Sequence, residues 1–88
     1  MVDGFPLVQA GDGERVKILA VDGGEGAHRK LTGLGLAPGQ RVEIVTRQPG
    51  GPVLVAVGGS RIAVGFGLAL KVRVVSTEDG AQEGETGA

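Results

Sequence analysis

The chain has 88 residues, 18 Gly, two Phe, no Cys, Trp or Tyr, and a formal net charge of −1, which fits one small domain hiding only roughly 60–65% of its unfolded surface. The lack of Cys excludes disulfides and thiolate metal sites and permits a reducing compartment; the scarcity of aromatics counts against stacking on single-stranded nucleic acid. All nine Lys and Arg fall within residues 14–75 against four acids (Glu14, Asp22, Glu25, Glu43), so a basic body carries acidic ends, a distribution that suits either an acidic partner or ordinary solvation of strand faces.

In chain order, Phe5–Gly13 reads as an entry segment that lays Leu7 and Val8 on the body. Arg15–Val21 alternates as a strand, with Val16, Ile18 and Ala20 expected inward and Arg15 and Lys17 outward. Asp22 and Glu25 have N-cap and N3 spacing for a short helix whose apolar stripe is Ala27, Leu31 and Leu34. Gly35 stands where a left-handed residue would close that helix, with Leu36 placed to pack back on its last turn. Pro38-Gly39 suits the central pair of a type II turn.

Residues 41–47 form the second expected strand, and Gln48–Pro52 is a loop. Val53–Val57 is a continuous apolar run suited to a central strand. Gly58-Gly59 is a two-residue hairpin signal leading into strand Ser60–Val64. Gly65–Leu70 connects, with room for one 3₁₀ turn, to strand Lys71–Val75. Residues 77–88 hold four acids and no apolar residue but Ala, and are expected to be a disordered tail.

Five short strands with one helix inserted after the first predict a mainly β fold: a small, closed five-stranded barrel over residues 1–76. Its core should be Val16, Ile18, Leu31, Leu34, Leu36, Val42, Ile44, Val53, Val55, Val57, Ile62, Val64, Val72 and Val74. The longest apolar run falls far short of the roughly 20 residues that span a bilayer, and Met1-Val-Asp-Gly carries no secretory pattern, so no membrane insertion is expected.

Over about residues 7–75 the chain resembles the ferrous iron transport protein A (FeoA) family. The resemblance is carried by Leu7, Gly13, Val16-Lys17-Ile18, the run Leu31-x-x-Leu34-Gly35-Leu36-x-Pro38-Gly39-x-x-Val42, the Gly58-Gly59 hairpin, Arg61-Ile62-Ala63, and Leu68-Ala69 leading into Val72-x-Val74. It implies an SH3-like β-barrel and accessory work in bacterial ferrous iron uptake. The implied partner is FeoB, a membrane permease with a cytosolic GTPase domain, and the implied location is the cytoplasm, peripheral to the inner membrane through that partner. The same barrel ends iron-dependent repressors similar to the diphtheria toxin repressor, but without their DNA-binding and dimerisation domains this chain resembles the free-standing form. It departs from the family at Gly65-Phe66-Gly67, where many members carry charge, and at Lys30, where Arg is common.

Phe66, flanked by two Gly, either projects as an interface anchor or folds back to plug one end of the barrel, the need for core volume favouring the plug. Arg29 and Lys30, with Arg15, Lys17, Arg61, Lys71 and Arg73, offer a basic face for an acidic partner, weighed against scattered solvation. The partner-binding candidates are accordingly Phe66, Arg29, Lys30 and Arg61.

His28, the one His, is read as an exposed helix residue in preference to a metal ligand with Asp22 and Glu25, since a specific site needs convergent ligands. Asp22–Gly26 lacks the Lys-Ser/Thr of a phosphate loop and is read as helix entry. Ser60 has no paired base in view, so neither catalysis nor a cofactor is expected. Two alternatives remain beside the permease-binding reading. One is a nucleic-acid-binding barrel, favoured by basic strands and opposed by the acidic tail. The other is a peptide-binding barrel. Self-association through the apolar third strand and Phe66 stays open.

Overall fold

The computed structural model of the chain describes residues 4–77. The disorder expected of the acidic tail falls outside the described residues, apart from Thr77. The elements are β1 (Phe5–Pro6), a 3₁₀ turn (Leu7–Gln9), β2 (Arg15–Val21), α1 (Gly24–Gly33), β3 (Arg41–Arg47), β4 (Val53–Val57), β5 (Ser60–Val64), α2 (Phe66–Ala69) and β6 (Val72–Ser76). All strands join one sheet in the order β1-β6-β2-β3-β4-β5, each neighbouring pair antiparallel.

The expected closed five-stranded barrel is corrected. The sheet has six strands and is open, with β1 and β5 at its edges. The sixth strand, β1, pairs Phe5 with Val74 and Pro6 with Arg73. It stops after two residues because the chain turns at Leu7, and Pro6 has no N–H for a further ladder. So short an edge is protected from pairing with other chains by that shortness and by Pro6. The inserted helix α1 follows the second strand rather than the first, and the 65–70 connector contains a turn of α-helix, α2, where 3₁₀ was expected.

Two bulges bend the sheet. Leu19 is the extra residue between the Ile18–Val74 and Ala20–Arg73 pairs, and Val45 between the Ile44–Val55 and Thr46–Leu54 pairs. A bulge reverses the alternation beyond it. Ala20, expected inward with Ile18, is therefore exposed.

The core is aliphatic. It contains Val16, Ile18, Leu31, Leu36, Val42, Ile44, Val53, Val55, Val64, Val72 and Val74 as expected, together with Leu7, Ala10 and Ala69. Leu34 is corrected to an exposed position, and Val57 and Ile62 are only partly buried against the core. The entry segment is held by the Arg47 guanidinium, which donates to the Val8 carbonyl at 2.7 Å.

The turn chemistry read from the sequence is realised. Gly35 has φ +93°, and the amides of Gly35 and Leu36 donate back to the carbonyls of Thr32 and Leu31. Gly39 has φ +94° behind Pro38, and the Gln40 amide closes the turn on the Ala37 carbonyl at 3.2 Å. The capping box is corrected: the residue before α1 is Gly23 with φ 97° and no side-chain cap, while the Asp22 carboxylate turns to Arg73 at 3.1 Å.

Candidate functional site

Helix α2 is one turn long and seats itself through Ala69, which is fully buried. Its amide ladder starts at Ala69 N–H to the Gly65 carbonyl (2.8 Å) and continues with Leu70 N–H to the Phe66 carbonyl (3.0 Å). Four residues apart, Phe66 and Leu70 share one side of that turn. They are 40% and 48% exposed, the two most exposed large apolar residues among those described. The plug reading of Phe66 is thus corrected: its ring stands at the surface beside Leu70 and is not part of the core.

Helix α1 packs next to α2 by burying Ala27 and Leu31. Between the helices runs a groove of about 550 Å³ lined by Ala27, Lys30, Gly67, Leu68, Leu70 and Lys71. Glycines open it: a Cβ at Gly26 or Gly67 would meet nothing within 4 Å. Lys30 and Lys71 supply cations on either side, and Leu70 joins the groove to Phe66. Leu70 escaped the sequence reading as part of a connector; its signal was the spacing of four from Phe66.

The other expected positions separate. Arg29 makes a surface i,i+4 contact with Glu25 at 3.6 Å, both side chains at least 80% exposed, an arrangement worth roughly 0.3–0.5 kcal/mol. Arg61 lies on edge strand β5 opposite Ala56, away from the groove lining. Arg73 engages Asp22. Arg15 belongs to a different depression, on the outside of β2, β3 and β4, with Arg41, which the sequence reading had not placed there. The single basic face expected from the sequence is therefore at least two.

His28, Asp22 and Glu25 do not converge: the acids face Arg73 and Arg29, and the His28 carbonyl accepts from Thr32 Oγ1 at 2.9 Å. Among the described residues no three His, Asp or Glu side chains gather as a metal would require. Nor is any polar side chain buried there. Phe66 and Leu70 are thus exposed apolar side chains one helical turn apart, and Leu70 shares a glycine-lined groove with the ammonium groups of Lys30 and Lys71.

Comparison with known proteins gives the chain a family. The FeoA domain family matches residues 5–76. A curated relative from Methanocaldococcus jannaschii, named "Putative Fe(2+) transport protein A", is 37% identical over 78 residues, covering 89% of this chain and 94% of the relative. The crystal structure of an iron uptake regulatory protein (FeoA) superposes with a TM-score of 0.75 at 35% identity, covering 85% of this chain and 99% of that one. The NMR structure of a FeoA-like protein from Clostridium acetobutylicum gives a TM-score of 0.77 at 20% identity, covering 88% and 91% of the two chains, a likeness of fold.

Proposed function

The chain belongs to the FeoA family, and from that premise we propose that it is an accessory protein of ferrous iron uptake. It acts by binding a FeoB-like membrane permease on its cytosolic, GTPase-containing side, and so regulates or supports transport from the cytoplasm. No helix among the described residues is long and apolar enough to cross a membrane, so in this reading the chain reaches the membrane through its partner. The observation that carries the proposal is the pairing of Phe66 with Leu70 at the edge of the α1–α2 groove, flanked by Lys30 and Lys71. Exposed apolar anchors with cations at the rim are the composition of a protein interface, where a few aromatic and aliphatic groups carry affinity and rim charges steer encounter.

Phe66 and Lys30 are accordingly assigned to the contact and Arg29 to its periphery, on the same helix as Lys30. Arg61, on the far edge strand, serves as a control position. The test is co-purification of the chain with the full-length permease in detergent, beside a permease lacking its cytosolic domain. Retention by the first and loss from the second support the proposal; equal retention by both, or by neither, contradicts it.

A further inference from the structure

We propose that the acidic segment after Thr77 docks on this chain's own outer sheet face, on a patch made by Arg15, Lys17 and Arg41. The register builds the patch. Lys17 lies opposite Arg41 on one side and Val75 on the other, and Arg15 lies opposite Glu43. Alternation with buried Val16, Ile18 and Val42 turns these charged residues outward. Three cations thus stand around one carboxylate, Glu43. The ion pairs Arg29–Glu25 and Arg73–Asp22 engage none of the three cations. Lys17 and Arg41 directly opposite one another repel, so the patch favours an anionic occupant.

The chain delivers that occupant to the spot. The Thr77 amide donates to the Arg15 carbonyl at 2.9 Å, and Thr77 lines the same depression of about 340 Å³ as Arg15, Arg41 and Glu43. The next residues are Glu78 and Asp79, followed by Glu83 and Glu85. Eleven residues reach up to roughly 36–40 Å when extended, several times the spacing of about 5 Å between neighbouring strands. The tether makes the encounter intramolecular, which raises the local concentration of the segment above that of a free peptide. Docked there, the segment screens the patch and excludes other polyanions from it. This inference is independent of the permease reading, which uses the α1–α2 face.

Because the chain has no Cys, Ala88→Cys gives a single site for a nitroxide label, and paramagnetic broadening of backbone amides reads where the segment sits. Two labelled proteins of equal length are compared, one otherwise unchanged and one with E78Q, D79N, E83Q and E85Q. Proximity due to the tether alone is the same in both. The expected result is broadening concentrated at Arg15, Lys17 and Arg41 in the acidic chain, reduced in the neutralised chain, reduced again by 0.5 M salt, and absent from α1. R15Q, K17Q and R41Q together should also remove it. Equal broadening of the patch in both chains, or broadening indifferent to salt, would overturn the proposal.

Discussion

The Leu36 amide donates to the Leu31 carbonyl at 3.1 Å, across a residue, Gly35, whose φ is +93°. This link ends α1 and starts the path to β3, and both leucines are buried beneath it. An L side chain at Gly35 would meet no atom within 4 Å. The cost of Gly35→Ala is therefore backbone conformation alone, about 1–2 kcal/mol. Gly26 lies in α1 with normal helical φ and equally open surroundings. Gly26→Ala should instead stabilise by about 0.5–1 kcal/mol. Urea denaturation of the two variants should give shifts of opposite sign; equal shifts would show that space, not φ, governs these positions.

Gly4 combines both constraints. Its φ is +81°, and an added Cβ would stand 2.7 Å from the Val74 carbonyl oxygen and 2.8 Å from Leu19 Cδ1. The leucine tip can rotate away, but the carbonyl belongs to the β1–β6 ladder. Gly4→Ala should therefore cost more than Gly35→Ala, on the order of 2 kcal/mol or more. It should also raise amide hydrogen exchange at Phe5 and Val74 ahead of the rest of the sheet.

Leu31 is fully buried under α1 and ties that helix to the sheet core. Leu31→Ala should cost about 2–5 kcal/mol, a large share of the roughly 5–15 kcal/mol that hold a small domain. Chemical denaturation should show a lowered midpoint, whereas Leu34→Ala at the exposed end of the same helix should change stability by less than about 1 kcal/mol.

The local turns were legible because each is written in a few adjacent residues: Leu34-Gly35-Leu36, Pro38-Gly39, and Gly58-Gly59, whose φ values of 55° and 85° match the tight hairpin expected. The five longer strands were legible from alternation or continuous apolar runs. What depends on distant pairing was not. Nothing local marks Phe5–Pro6 as a strand, since its partner Val74 is almost the length of the domain away. The bulge at Leu19 carries no Gly, so Ala20 was assigned to the wrong face. Asp22 had the spacing of a helix cap, but Arg73 on β6 offers it a charged partner, and two positive-φ glycines start the helix without it. Of the candidate site, Phe66 and Lys30 were visible as residue types. Their common neighbourhood with Leu70 and Lys71 comes from the packing of α2 on α1.

Phe66→Ala and Leu70→Ala should separate stability from binding. Both side chains are about half exposed, so each should lower stability by about 1–2 kcal/mol. As interface anchors, each should weaken partner binding by about tenfold or more, equivalent to about 1.4 kcal/mol. Lys30→Ala should slow association and flatten its salt dependence, whereas Arg61→Ala should leave affinity unchanged.

The decisive measurement is a calorimetric titration of the purified chain into the cytosolic domain of a FeoB-like permease, with and without guanine nucleotide. Saturable binding at micromolar concentration or tighter is expected, weakened by Phe66→Ala and indifferent to Arg61→Ala. Failure to bind at those concentrations in either nucleotide condition, or binding that survives loss of both Phe66 and Leu70 side chains, would contradict it.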